Sequence, residues 1–288
     1  MVRQVLLVDA ASARPSQRLE GLRTLGFHVW LCATSEAAQD YARRRSPEII
    51  LIAESLAVEE RSTLLASLRL DARTNPLAVV LEEAAPSLAL TIEPDARLRP
   101  QARRSTLLEA LALAVAQAER RRHHLLRLEL TWRLLSSPVV LEQFAEPFAS
   151  WTQQTGLSGY AARQLAAAVQ ELCANAMEWG HRFCIDTPVY VTARLDEEKV
   201  SVLVRDSGPG FNRQHLPHAA RPGDPVSHRS VREAANLREG GFGILMASGL
   251  VDQLAYNERG NEALVVKYLP ATLTHPSRAH RPSLLASG

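Results

Sequence analysis

The chain has 288 residues, of which 46% are hydrophobic and 22% charged, so it is long enough for two domains that each bury an apolar core. Its 33 basic and 31 acidic residues leave a net charge of +2, which excludes a general attraction to nucleic acid or to a membrane surface. The three cysteines lack metal-type spacing, and no apolar run approaches the roughly 20 residues that span a bilayer, so we expect a cytoplasmic protein.

The first part of the chain, residues 1–117, alternates short apolar runs with amphipathic segments. Strands are expected at residues 5–8, 27–32, 48–53 and 77–81, with a weaker fifth at 96–98, and helices at 16–25, 35–45 and 58–70. Ser35 is expected to cap the second of these helices. Strands that alternate with helices predict an α/β domain of the flavodoxin-like type, a parallel sheet with helices on both faces.

This alternation resembles the receiver domain of response regulators, which implies positions for aspartyl phosphorylation. Receivers carry an acidic pair after strand one, of which only Asp9 remains, and a phosphoacceptor aspartate closing strand three, where this chain has Ala53. The Ser or Thr of the family after strand four is Glu82 here. Glu54 is expected to point away from this site, because side chains alternate along a strand. We therefore interpret residues 1–117 as a degenerate receiver-like domain used for interaction or dimerisation.

An amphipathic connector helix is predicted at residues 105–125, between the two domains. Its apolar residues repeat at three- and four-residue spacing, and its basic end, residues 120–124, suits the C-terminal end of a helix dipole. This cluster is one turn long without aromatic residues, so direct contact with nucleic acid is not expected. His123 and His124 are adjacent and diverge on a helix, which argues against a metal site.

The second domain, residues 126–270, is predicted as an α+β layer, and residues 271–288 as a disordered tail. Strands are expected at residues 126–134, 189–195, 199–205, 251–256 and 262–269, and helices at 139–154, 159–180 and 242–250. The strands are expected to form a mixed, mostly antiparallel sheet covered by helices. A homodimer is expected, formed through the receiver-like domain, the connector helix or the strand at 126–134.

Three motifs in the second domain concentrate polar residues and glycines in a fixed order. Glu171 and Asn175 lie four residues apart and so project from one side of a predicted helix. A carboxylate-glycine turn and a second glycine cluster follow: Asp206, Gly208 and Gly210, then Gly241 and Gly243. Glycines let backbone N–H groups approach phosphate, an amide oxygen suits Mg²⁺, and a carboxylate can take a proton from an attacking hydroxyl. The set predicts a site for a nucleotide with magnesium.

In this order and spacing the motifs resemble the nucleotide site of the GHKL ATPase superfamily, and most of all its anti-sigma-factor serine kinase branch. The resemblance implies a GHKL ATPase sandwich that is similar to histidine kinase ATPase domains, with ATP and Mg²⁺ as cofactors. Glu171 would be the catalytic base, Asn175 the magnesium ligand and Asp206 the acceptor for the adenine amino group. The loop at residues 212–239 would be the ATP lid, and Arg238 would contact the γ-phosphate.

The same resemblance implies that the substrate is a serine of a partner anti-anti-sigma protein, with a sigma factor as a further partner. A strand and a helix lead directly into the Glu171 helix, without a two-helix segment that carries a phosphoacceptor histidine, and this favours the serine kinase branch. The chain departs from that branch at Trp179, where many of these kinases carry histidine. Two alternatives stay open: a non-catalytic, ATP-dependent protein-binding module, and an orphan histidine kinase that uses His123 or His124.

Overall fold

The computed structural model describes residues 3–10, 17–85, 88–210 and 243–270. The first half contains, in order, β1 (Gln4–Val8), α1 (Gln17–Thr24), β2 (His28–Cys32), α2 (Ser35–Arg45), β3 (Ile49–Ile52), α3 (Val58–Leu70), β4 (Ala78–Glu82), β5 (Leu90–Ile92), β6 (Ala96–Leu98) and α4 (Arg104–His123). The second half contains β7 (Leu128–Leu135), α5 (Pro138–Gln153), α6 (Gly159–Asn175), a π-helical turn (Ala176–Gly180), β8 (Pro188–Leu195), β9 (Lys199–Arg205), α7 (Gly243–Leu250), β10 (Gln253–Tyr256) and β11 (Glu262–Tyr268). Among these helices, none is both long and apolar enough to cross a membrane.

A parallel sheet organises the first half. Its strand order is β2-β1-β3-β4-β6, which is the order of the flavodoxin-like fold. Every residue of β3 and β4 is buried, as expected for strands covered on both faces. The apolar residues of α1 and α4 pack on one face, and those of α2 and α3 on the other. The predicted receiver-like α/β fold is confirmed by this topology.

An antiparallel sheet organises the second half. Its order is β10-β11-β9-β8-β7-β5, and each adjacent pair within the described residues is antiparallel. The sequence predicted a mixed sheet, and this detail is wrong. Short turns join β8 to β9 and β10 to β11, and such connections return the chain antiparallel to itself. Burial alternates along β8 and β9, because α5 and α6 cover one face of the sheet.

One strand crosses from the first half into the second sheet. β5 follows β4 in the sequence, yet it pairs with β7, with Leu90 opposite Leu134 and Ile92 opposite Trp132. The chain then returns at once to the parallel sheet, because Asp95 N donates to Val79 O at 2.9 Å. The sequence did not predict β5, since a three-residue strand is too short to show a period.

Because of β5, the strand β7 is hydrogen-bonded on both sides, to β8 and to β5. Its backbone is therefore not available to pair with a second copy of the chain, which was one of the three routes expected for a homodimer. The hydrophobic core is likewise continuous between the halves. One cluster of buried side chains extends from α2 and α3 to the aromatic residues of the second half, Trp132, Phe144, Phe148 and Trp151.

A buried ion cluster fixes the place where the chain crosses between the sheets. Asp95 lies between Arg69 of α3 and Arg121 of α4, at 2.6 Å and 2.5 Å, and also accepts from Val79 N at 2.8 Å. The side chains of Arg69, Asp95 and Arg121 are only 2%, 5% and 5% exposed. Burial alone would raise the pKa of Asp95, but the charge of Arg69, followed by the hydrogen bond and charge of Arg121, lowers it overall.

A second polar tie joins the halves through a buried asparagine. Asn75 Nδ2 donates to Glu129 O at 2.8 Å, and Glu129 N donates to Asn75 Oδ1 at 3.2 Å. The amide of Asn75 thus satisfies both backbone groups of a residue in β7, as a neighbouring strand would. Asn75 comes from the segment between α3 and β4, so this contact holds the first half against the second.

Two helix ends differ from the sequence predictions. The cap of α2 is Thr34 rather than Ser35, because Thr34 Oγ1 accepts from Ala37 N at 3.3 Å while Ser35 is already helical. The α-helical part of α6 ends at Asn175, where the π-helical turn begins, rather than continuing to Gly180. The predicted helix therefore changes its hydrogen-bonding pattern directly after the Glu171 and Asn175 motif.

Candidate nucleotide site

The helix α6 carries the first motif. Ser158 Oγ caps it by accepting from Ala161 N at 3.2 Å, and Leu165, Val169 and Leu172 bury its apolar face. The side chains of Glu171 and Asn175, which lie one turn apart, are half-buried. Asn175 Nδ2 is buried with no hydrogen-bond partner among the described residues. Buried polar groups are normally paired, so this N–H donor suits an acceptor that the described residues do not supply, such as a phosphate oxygen.

The third motif lies directly against Glu171. Its last glycine, Gly243, begins α7, and α7 packs along α6. A Cβ atom at position 243 would overlap Glu171 Oε1 and lie 2.8 Å from its Cγ, so a residue with a side chain would displace the carboxylate or the helix. Lys267 holds the other end of α7, because its Nζ donates to Leu250 O at 3.1 Å.

The second motif forms a turn at the end of β9. Asp206 N donates to Asn261 O at 3.0 Å, and Asn261 Nδ2 donates back to Asp206 O at 3.0 Å, so the turn is tied to the segment before β11. Asp206 Oδ1 accepts from Gly208 N at 2.7 Å. Burial raises the pKa of Asp206, although the Gly208 N–H and the charge of Arg259 act in the opposite direction.

Glycine at three positions permits close approach of backbones around this turn. A Cβ at Gly180 would lie 2.6 Å from Asp206 Oδ1, and one at Gly208 would overlap the carbonyl of Gly180. Gly210 has a φ of +75°, and a Cβ there would overlap Arg259 O. Gly180 ends the π-helical turn that follows Asn175, so the first two motifs meet through Gly180. The sequence analysis missed Gly180, whose only signal was its place at the predicted helix end.

A histidine also reaches this turn, although the sequence analysis did not assign it a role. His181 follows the π-helical turn and is 7% exposed. Its Nε2 accepts from Ser207 N at 3.0 Å, and Ser207 is the residue next to Asp206. Trp179 stands where many of the kinases that this chain resembles carry histidine, and His181, two residues later, contacts the carboxylate-glycine turn.

The receiver-like half has a cleft of about 500 Å³ at the carboxyl ends of its strands. Ala53 and Glu82, which match the phosphoacceptor and the Ser or Thr of receivers, line this cleft, and no carboxylate stands at position 53 to accept a phosphoryl group. Arg18 forms an ion pair with Glu82 inside the cleft, and Ser55 Oγ donates to Asp9 Oδ1 at 2.7 Å.

The position of Glu54 relative to this cleft differs from the prediction. Glu54 was expected to point away, but it lines the cleft. β3 ends at Ile52, so the alternation of a strand no longer applies at Glu54. Glu54 is exposed and lies one residue after Ala53, the position that matches the phosphoacceptor.

Several predicted site residues lie outside the residues that the structure describes. These are Arg238 and Gly241, together with the lid at residues 212–239 and the tail at 271–288. The described part of the site therefore consists of α6, the π-helical turn, the turn after β9 and the start of α7. It brings together Glu171 with Gly243, and Asp206 with Gly208 and Gly180.

The solved structures that are similar to this chain include receiver domains. A CheY-like receiver domain protein from Methanospirillum hungatei JF-1 is 18% identical over 42% of this chain and 99% of that chain, with a TM-score of 0.35. A chemotaxis response regulator of Vibrio cholerae is 16% identical over 40% and 99%, with a TM-score of 0.34. The receiver domain of a sensor histidine kinase from Pseudomonas aeruginosa PAO1 is 19% identical over 40% and 99%, with a TM-score of 0.36. These scores are low, so the fold assignment above depends on strand order alone.

No curated protein matches the chain. A family model does match its second half, the one described as histidine kinase-like ATPase domain, over residues 134–267. The match begins within β7 and ends within β11, so it includes all three motifs of the candidate site. Residues 134–267 are therefore similar to the histidine kinase-like ATPase domain family, a match that supports ATP use and kinase-like activity in general.

Proposed function

We propose that this chain is an ATP-binding signalling protein and a protein serine kinase of the anti-sigma-factor type. Its substrate is a serine of an anti-anti-sigma-like protein, and a sigma factor is a further partner. The observation that carries the proposal is the meeting of the three motifs at α6. Gly243 lies against the Glu171 carboxylate at one side, and Gly180, just beyond Asn175, lies against the Asp206 carboxylate at the other.

The described residues fit a magnesium nucleotide. Asn175 Nδ2 is a buried donor without a partner among them, which suits a phosphate oxygen, and the amide oxygen of the same side chain is the type of ligand that suits a hard cation keeping several waters. No cluster of three or more His, Cys, Asp or Glu side chains occurs within the described ranges. A magnesium ion here would therefore be held by Asn175 together with phosphate oxygens, as is usual for Mg²⁺ with nucleotides.

Each carboxylate has a separate role. Bound ATP would supply the phosphoryl group, and the chain would position the reactants around it. Glu171 accepts the proton of the attacking serine hydroxyl, and Gly243 leaves room for that carboxylate. Asp206 accepts a hydrogen bond from the exocyclic amino group of adenine, since its Oδ1 is already fixed by Gly208 N. We assign Arg238 to the γ-phosphate, because a guanidinium binds phosphate oxygens in pairs.

The receiver-like half is proposed to regulate this site by contact rather than by phosphorylation. Ala53 offers no carboxylate, and the Arg18 guanidinium is paired with Glu82 in the cleft. The half is joined to the ATPase sheet through β5 and Asn75. Partner binding to the first half can therefore act on β7 without a covalent signal.

The orphan histidine kinase is the less favoured alternative. Such an enzyme needs a phosphoacceptor histidine on a helix that is free to meet the ATP site. His123 is exposed but ends α4, whose apolar residues are buried against the parallel sheet of the first half. Within the described residues α4 leads directly into β7, without a second helix beside it. This packing favours a substrate hydroxyl from another protein.

The first experiment is calorimetric titration of Mg·ATP into the wild type, Asp206→Ala and Asp186→Ala. Asp186 is exposed in the segment before β8 and serves as the matched control. The wild type and the control should bind ATP, and Asp206→Ala should lose binding by tenfold or more, about 1.4 kcal/mol. Equal affinity of all three proteins would contradict the assignment of Asp206.

The second experiment separates the kinase from its alternatives. Glu171→Gln should bind Mg·ATP normally but lose the slow release of phosphate that we expect from the wild type alone, because the base is absent. Binding without phosphate release in the wild type would favour the ATP-dependent binding module. Labelling of the chain by γ-labelled ATP that disappears in the double variant His123→Ala, His124→Ala would establish the histidine kinase and overturn our proposal.

A further inference from the structure

A chain of hydrogen bonds passes through His181 and joins three segments of the ATPase domain. Ser207 N, beside Asp206, donates to His181 Nε2 at 3.0 Å, and Ser207 Oγ lies 3.2 Å from the same nitrogen. His181 Nδ1 lies 2.7 Å from Ser136 Oγ, at the end of β7. Ser136 Oγ in turn donates to Thr187 O at 2.6 Å, just before β8.

The backbone donor fixes the tautomer of the imidazole. An amide N–H can only donate, so Nε2 must be unprotonated to accept from Ser207. The ring proton of the neutral form is then on Nδ1, and it is donated to Ser136 Oγ. Because Ser136 gives its own hydroxyl proton to the Thr187 carbonyl, every bond in the chain has one consistent direction.

The surroundings favour the neutral ring. His181 and Ser136 are 7% and 0% exposed. Burial lowers the pKa of His181, although the charge of Asp206 and the carbonyl of Thr187 act to raise it. Among the described residues, Asp206 is the charged group whose field acts on the ring, while Ser136 and Thr187 contribute uncharged groups. In the charged ring a second proton, on Nε2, would face the Ser207 N–H. Both groups would then be donors, and the hydrogen bond would be lost.

We propose that His181 is a positioning residue for nucleotide recognition: as the neutral Nδ1–H tautomer it holds the Ser207 N–H, and so keeps the Asp206 turn in place for adenine. This rests on the proposed function, because it assumes that Asp206 contacts the base. It predicts that acid weakens ATP binding through His181 as well as through Asp206. The ring contacts Ser207 and Ser136, so its role is to position the Asp206 turn rather than to take part in the reaction.

Two substitutions of His181 distinguish the roles of its two ring nitrogens. In His181→Gln the side-chain oxygen can reach the place of Nε2 and accept from Ser207, and it does not titrate. In His181→Asn the shorter amide reaches only the place of Nδ1, so the Ser207 N–H loses its acceptor. Binding of Mg·ATP is measured by calorimetry at about pH 8 and about pH 4.5, because burial places the pKa of His181 below the ordinary histidine value of about 6.5.

At the higher pH, His181→Gln should bind ATP like the wild type, and His181→Asn about tenfold more weakly, the effect of one lost hydrogen bond. Between the two pH values the wild type should lose more affinity than His181→Gln. The loss of affinity that both proteins share reports the protonation of Asp206, because burial raises the pKa of that carboxyl group. Superimposable pH profiles for the wild type and His181→Gln, or equal affinity of the Asn and Gln variants, would overturn the inference and leave the proposed function intact.

A measurement of the His181 tautomer in the absence of nucleotide distinguishes this inference from the proposed function. Nitrogen-15 spectra of labelled protein should show His181 with its proton on Nδ1 in the absence of ATP. A proton on Nε2 would refute the assigned chain of hydrogen bonds, even if ATP binds as expected. Failure of the wild type to bind ATP at the higher pH, with the Nδ1–H tautomer present, would instead refute the proposed function and with it the role of His181 in recognition.

Discussion

Replacing Asp95 by asparagine tests whether the buried ion cluster holds the two halves together. Asp95 is the one carboxylate within 4.0 Å of both Arg69 and Arg121 in the described structure, and all three side chains are at least nine-tenths buried. The amide can keep the bond from Val79 N, but it leaves two buried guanidinium groups without their ion-pair partner. Removing one partner of a buried pair costs about 3–5 kcal/mol of the free energy of unfolding.

The matched control is Asp40→Asn, the same chemical change in an exposed pair. Asp40 lies 2.8 Å from Arg44 one turn away on α2, with side chains 57% and 76% exposed. Solvent screens this pair, so its loss should cost at most about 0.5 kcal/mol. Both variants are unfolded with urea, followed by circular dichroism and by tryptophan fluorescence, since Trp30 reports the first half and Trp132 the second.

The expected result is a large shift of the midpoint for Asp95→Asn and a negligible one for the control. The pKa of Asp95 lies below its ordinary 3.8, so its contribution should persist at neutral pH and decline only as the pH falls through that lowered value. The difference between the wild type and Asp95→Asn should therefore shrink only in strong acid. A cost within 1 kcal/mol of that of Asp40→Asn would refute the reasoning.

Two further substitutions test the site and a helix cap. Gly243→Ala should weaken binding of Mg·ATP about tenfold, since its Cβ would overlap the Glu171 carboxylate. Gly249→Ala in the same helix would place its Cβ more than 4 Å from every other described residue outside the helix and its chain neighbours, and should leave calorimetric affinity unchanged. Thr34→Ala should lower the free energy of unfolding by about 1 kcal/mol in urea titrations. Ser35→Ala should cost less, because alanine at a helical position gains about 0.5 kcal/mol in propensity; the reverse order would reinstate Ser35 as the cap.

The sequence predicted those parts of the fold that have a long period or a distinctive residue order. The alternation of apolar strands with helices was enough for the parallel sheet, and the spacing of Glu171 and Asn175 placed both on α6. The contacts that depend on three dimensions were not accessible. Gly180 looked like an ordinary helix end, and its role becomes visible only when the Asp206 carboxylate is seen against its backbone.

His181 shows the same limit in another form. His181 lies just beyond the π-helical turn, so counting one α-helical turn from Asn175 leads to Trp179 rather than to the histidine. β5 was not predicted because three residues are too few to show an alternating pattern. Only its pairing with β7 in the structure identifies it as a strand.

The position of β5 determines where the chain can be cut. A fragment that begins at the connector helix or at β7 would start after β5, so it would expose the full length of β7 as a new sheet edge and would invite association through that edge. A fragment of the first half alone would carry the β5 segment with no strand to receive it. Fusion of either half to another protein should therefore keep residues 88–135 together, and exchange of whole domains at residue 125 would separate two strands of one sheet.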